Sequence, residues 1–213
     1  MSSIPKSSRV VPIKIIRPDH VELVGMGYVL LTAPHAAGPD ADLHTGQIVE
    51  DAALTSRSFA LVGKISRDYI DLNRIQSART EFRESINALI DDSGIKCILD
   101  IHGKKEPGVD IGTALGKTCT ESTTNLVRTL LAKDFPVTVN QKFMGLKPGS
   151  IVTTYEKTSQ DGQFLVEAVQ IEFGHEERNL ERDKVVTNIA ELVALLNAKL
   201  APGNHAPEQS PDS

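Results

Sequence analysis

The run Ile95-Lys96-Cys97-Ile98-Leu99-Asp100-Ile101 constrains this chain more than any other stretch. It is a nearly continuous apolar run, preceded by Gly94 and followed by His102 and Gly103. Unbroken apolar runs of this kind mark central strands covered on both faces, and a sheet covered on both faces needs helices on each side. The rest of the chain supplies them. Strands are expected at 11–16, 28–34, 109–115, 137–143 and 166–173. Helical periodicity is expected at 46–65, where Ile48, Ala52, Phe59 and Val62 recur at near-helical intervals. It is cleaner at 79–94, where Phe82, Ile86, Leu89 and Ile90 share a face and Gly94 ends the segment. Further helices are expected at 120–135 and at 182–200, with Val185, Ile189, Leu192 and Leu196 on one stripe. Strands alternating with helices predict an α/β fold with a largely parallel sheet.

Composition narrows the class. With 213 residues, 40% hydrophobic and 24% charged, the chain is long enough for one self-sufficient core. That domain is expected over 10–201, between a loose arm at 1–9 and a disordered tail at 202–213 rich in Pro, Ser and acid. His205 lies in that tail and is a poor functional candidate. A net charge of −5 argues against nucleic acid or an anionic membrane as partner. No segment approaches the ~20 apolar residues of a membrane helix, and the N-terminus lacks the apolar stretch of a signal peptide. Cys97 and Cys119 show neither CxxC spacing nor a disulfide framework, so they read as small buried hydrophobes in a reduced, cytoplasmic setting. Gly25 and Gly27 lack the third glycine and the following helix of a phosphate-binding loop, and read as a turn between two strands.

In parallel α/β sheets, ligands bind beyond the carboxyl ends of the strands. Three expected strands deliver a histidine or a glutamate there: His35 after 28–34, His102 after 95–101, and Glu172 near the end of 166–173. Two imidazoles at equivalent positions suit a zinc ion with an open coordination position. Asp100 shares a face with His102 and can orient its ring. A third ligand is sought between His35 and the next helix. His44 is preferred because it falls at the helix start, with Asp42 next and Glu50, more than one turn inside, third. Asp42 can equally be read as a helix cap. Asn73 and Arg74, in Asp71-Leu72-Asn73-Arg74, place an amide beside a guanidinium, a pairing suited to a carboxylate. His175, in the charged stretch 174–184, is left outside the site.

In order, "APHA" (33–36), "DLNR" (71–74), "DIHG" (100–103) and "QIEF" (170–173) resemble the N-formylglutamate amidohydrolases, distant relatives of the zinc carboxypeptidases and aspartoacylases. The stretch 109–119, "VDIGTALGKTC", is similar to the same family. The resemblance spans roughly 28–200. It implies a three-layer, phosphorylase/hydrolase-like α/β/α fold and one Zn2+ per chain. His35 and His102 match the family's histidine ligands, Asn73 and Arg74 the pair that grips the substrate carboxylate, and Glu172 the general base. One departure stands out. The wider group carries a glutamate ligand three residues after the first histidine, where this chain has Gly38. The function this implies is a zinc amidohydrolase acting on a small acidic substrate. The alternatives are a zinc peptidase trimming peptide or poly-γ-glutamate ends, and a binding module that has lost the site.

Overall fold

The computed structural model describes residues 11–39 and 41–203. The arm expected at 1–9, and all of the tail at 202–213 except Pro202 and Gly203, lie outside these, as does His205.

Nine strands form among the described residues: β1 (Ile13–Ile16), β2 (His20–Val24), β3 (Val29–Ala33), β4 (Phe59–Gly63), β5 (Cys97–Gly103), β6 (Val109–Gly112), β7 (Val137–Val139), β8 (Lys157–Thr158) and β9 (Phe164–Phe173). The sheet runs β1-β2-β4-β3-β5-β9-β6-β7, with β8 pairing beside β9. Its centre, β4-β3-β5-β9, is parallel. The antiparallel pairs lie toward the edges, β1 on β2, β2 on β4 and β6 on β9. Helices α1 (Thr45–Ser56), α3 (Glu121–Leu131) and α6 (Arg182–Leu200) share a core with one face. Helices α2 (Glu81–Ser93) and α4 (Ile151–Tyr155) share a second core with the other. This is the three-layer arrangement expected.

The two-residue period of the strands sorts the side chains. Leu31 and Ala33 of β3, Leu99 and Ile101 of β5, and Ile171 and Phe173 of β9 join the core beneath α1, α3 and α6. The alternate residues face α2 and α4, where Leu30, Ile98 and Ala168 are apolar at the amino end. Toward the carboxyl end that face turns polar, with Thr32, Asp100, His102, Gln170 and Glu172 all buried. A short helix, α5 (His175–Leu180), follows β9 directly.

One expectation is corrected. The helical pattern at 46–65 breaks into α1 and β4. Arg57 takes a left-handed conformation, φ 61°, and its backbone N–H donates to Ala53, closing the helix. The five residues of Phe59–Gly63 are all buried, between β2 and β3. Ile48 and Ala52 belong to a helix face, whereas Phe59 and Val62 belong to a strand covered on both sides. Their common spacing is coincidental. Strands β6 and β7 are shorter than expected.

Candidate metal centre and active site

His35 leaves the end of β3, and His102 projects from the last turn of the pleat in β5. Their rings stand 4.9 Å apart, centroid to centroid. The third member is Asp42. One ligand atom from each of His35, Asp42 and His102 lies within 4.8 Å of the others. The chain between β3 and α1 folds back to achieve this. The backbone N–H of Asp42 donates to the His35 carbonyl at 2.8 Å. The Thr45 hydroxyl and N–H both donate to the Asp42 carbonyl, at 2.7 and 3.1 Å.

The structure therefore brings Asp42, and not His44, to the two imidazoles. His44 precedes α1 with φ 70°. It lines a different cavity, beside Arg178 and residues 179–184. Glu50 points elsewhere and pairs with Lys14 at 2.6 Å. The missing glutamate at Gly38 has a steric explanation. Gly38 has φ 93°, and a Cβ there would come within 2.4 Å of the Ser66 hydroxyl. A side chain there would be strained, and Asp42 stands four residues further on.

Each imidazole is held from behind. His35 Nε2 meets Asp71 Oδ1 at 2.7 Å, and His102 Nε2 meets Asp100 Oδ2 at 2.8 Å. Thr32 donates to the other oxygen of Asp100 at 2.7 Å. A proton on Nε2 directed at a carboxylate leaves the Nδ1 lone pair free, as in metal sites where a carboxylate orients the ligand histidine. Both Nδ1 atoms face Asp42 Oδ2, at 3.5 Å from His35 and 3.3 Å from His102. Burial alone would raise the Asp42 pKa, but the hydrogen bonds and charges of His102 and His35 outweigh it and hold the carboxyl below its ordinary value. Burial opposes the charged form of His102 as well, and Asp100 overrides it to raise that pKa well above the usual imidazole value. Without a cation the cluster favours a charged His102, so a bound metal would displace a proton from its Nδ1. Two imidazole nitrogens and one carboxylate oxygen, all buried and converging, fit a divalent cation such as zinc.

Glu172 sits beside this group. In the parallel pairing of β5 and β9 it is registered opposite His102. Gln170 donates to it at 3.0 Å. Its burial raises the carboxyl above the ordinary range. A cavity of about 300 Å3 opens over these residues, walled by Asn73, Arg74 and the segment 142–147. Arg67, Arg74, Lys142 and Lys147 all line it, so its wall is cationic. Arg74 is steadied by its own loop, donating from Nη1 to the Asn73 carbonyl at 2.5 Å and lying 3.6 Å from Asp71. Asn73 is more committed. Its Oδ1 accepts from Ile151 N–H at 2.7 Å, which starts α4, and its Nδ2 stands 3.1 Å from His102.

Sequence reasoning assigned no role to Asp71 or Arg67. The structure makes Asp71 the support of His35, and Arg67 a partner of Asp42 through a 2.6 Å contact to Oδ1. Asp71 belongs to the tetrapeptide 71–74 that carries the Asn-Arg pair, and Arg67 lies four residues before it.

No protein-family model and no curated protein matches this sequence. Solved structures do. An N-formylglutamate amidohydrolase from Ralstonia eutropha JMP134 superposes with a TM-score of 0.68 at 12% identity, over 84% of this chain and 97% of that one. The chain shares that fold. A bacteriophage poly-γ-glutamate hydrolase gives a TM-score of 0.56 at 14% identity, over 87% and 91% of the two chains. A metallo-carboxypeptidase from Burkholderia cenocepacia gives 0.55 at 14% identity, and this chain spans 60% of its length. These three neighbours are hydrolases. No helix among the described residues is long and apolar enough to cross a membrane.

Proposed function

We propose that this chain is a zinc-dependent amidohydrolase cleaving an amide bond of a small, carboxylate-bearing substrate, similar in its chemistry to the N-formylglutamate amidohydrolases. The observation that carries the reading is the convergence of His35, Asp42 and His102 on one point, with Glu172 alongside, at the floor of a cation-walled cavity. His35, Asp42 and His102 would hold the metal, one ion per chain. A bound divalent cation supplies Lewis acidity, which polarises a carbonyl and brings the pKa of water toward neutrality.

The remaining work falls to the chain's own groups. Glu172 accepts the proton of the attacking water and passes it to the leaving amine. Its raised pKa suits a group that must act first as base and then as acid. Asp71 and Asp100 hold the two rings in one tautomer. Arg74, with the amide of Asn73 beside it, anchors the substrate carboxylate, and Lys142 and Lys147 add attraction at the rim. Arg67, steadied on Asp42, presents its guanidinium where negative charge develops on the carbonyl oxygen.

A second reading, a peptidase trimming peptide or poly-γ-glutamate ends, is favoured by the breadth of that cationic wall. Purified protein, assayed for metal and then offered N-formyl-glutamate, N-acetyl-aspartate and short γ-glutamyl and α-peptides, separates the two. The expected result is about one zinc per chain, with turnover of the small N-acyl amino acid abolished by chelation and restored by zinc. Turnover of only the longer chains selects the peptidase. Protein that takes up no zinc under these conditions is a binding module.

A further inference from the structure

Arg178, on α5, lies outside the catalytic group, yet it is buried. Its guanidinium spends every nitrogen on the backbone. Nε donates to the Phe173 carbonyl at 3.0 Å, Nη2 donates to the Lys104 carbonyl at 3.1 Å, and Nη1 donates to the Leu43 carbonyl. Each of those carbonyls belongs to a different segment of the site. Leu43 follows Asp42, Phe173 follows Glu172, and Lys104 lies two residues beyond His102. The planar fork of an arginine is suited to such a three-way tie, and a flexible lysine is not.

The surroundings are shaped for it. A Cβ on Gly103 would stand 2.4 Å from the Arg178 guanidinium carbon, so the residue next to His102 leaves the space this group occupies. The Lys104 N–H also donates to Phe173, joining the ends of β5 and β9 independently. The Leu43 bond is different in kind. Between β3 and α1 the chain is a loop, and no sheet pairing holds Asp42 against the two strands.

We infer that Arg178 is a positioning residue for the metal centre, fixing the Asp42 loop to the ends of β5 and β9 so that His102, Asp42 and Glu172 keep one geometry. The positive charge it brings toward Asp42 and Glu172 acts in the same sense. The inference rests on the metal-site reading above. The competing account is that Arg178 merely staples α5 to the domain. Glu177 does that from the same helix, its carboxylate accepting from Gly108 N–H at 2.6 Å and packing on Gly174.

Zinc affinity, measured by competition with a fluorescent chelator, separates the accounts. Arg178→Ala should lower it by about 10- to 100-fold, the usual cost of losing a group that orients metal ligands. Arg178→Lys should fall between that variant and the unsubstituted chain. Gly103→Ala, which displaces the guanidinium, should also weaken binding. Glu177→Gln should lower the melting temperature and leave zinc affinity unchanged. Where Arg178→Ala does not fold, Arg178→Lys and Gly103→Ala carry the comparison. Arg178 variants that bind zinc as tightly as the unsubstituted chain overturn the inference. Equal loss of affinity in Glu177→Gln also overturns it, because any loosening of α5 would then suffice. If the unsubstituted chain binds no zinc, the metal-site reading itself fails and the inference falls with it.

Discussion

Strand β9 carries two buried glutamates, five residues apart, on opposite faces and toward opposite ends. Glu167 faces α3 and α6 and is crowded with donors: Thr120 N–H at 2.8 Å, the Thr120 hydroxyl at 2.5 Å, the Thr123 hydroxyl at 2.6 Å and Lys199 at 3.5 Å. Glu172 has Gln170 at 3.0 Å and otherwise looks into the cavity. Both are charged groups removed from water, which is costly unless they are paired. The chain meets that cost at Glu167 by tying the start of α3 to the sheet. At Glu172 it leaves most of the cost standing. A saturated carboxylate holds structure together, whereas an unsaturated one beside converging ligands is available for proton transfer.

The sharpest test of this contrast is Glu172→Gln. Turnover should fall by about 10²- to 10⁴-fold, the usual contribution of a positioned general base, while the protein keeps its zinc. Activity close to that of the unsubstituted chain would remove Glu172 from the chemistry. Next in size, Asp42→Asn should weaken zinc binding by more than the about 10- to 100-fold typical of an outer partner, and His44→Ala should leave metal content as it was. The reverse result would restore His44 as the ligand.

The smallest effects concern stability and have opposite signs. Glu167→Gln should cost about 2 kcal/mol, because hydroxyl, amide and ammonium donors lose a charged acceptor, and turnover per folded molecule should persist. Glu172→Gln in metal-free protein should melt slightly higher near pH 7. The sign follows from the raised carboxyl. The folded state binds that proton more tightly than the unfolded state, so stability is lost as pH climbs from the ordinary carboxylate value through the folded one. At neutral pH the ionised group is a burden that glutamine removes. Melting curves of the two variants moving the same way would erase the distinction between the two ends of the strand.

Much of the candidate site's edge could be read from pattern, because the strand period is strict. Placing 95–101 and 166–173 as strands already put Asp100 with His102 on one face and Glu172 near a carboxyl end. His35 followed from the strand ending before it. The third ligand did not follow, because its place depends on how a loop folds back. The bond from Asp42 N–H to the His35 carbonyl and the left-handed turn at His44 have no spacing signature. Strand β4 was hidden by an accidental helical interval between residues of two elements. Arg178 was hidden for another reason: it acts through backbone carbonyls, and any neighbouring sequence can supply those.

The pairing of His102 with Glu172 across adjacent parallel strands has an evolutionary consequence. Neighbouring strands sit about 4.8 Å apart whatever their side chains, so the separation between His102 and Glu172, the proposed metal-holding ring and proton acceptor, is a property of main-chain architecture. Mutation can rewrite the segment 142–147 that roofs the cavity without disturbing that separation. Residues around the cavity are thereby free to change while the backbone spacing stays put, which is one way a fold can persist when only about one residue in eight is shared with the amidohydrolase it matches.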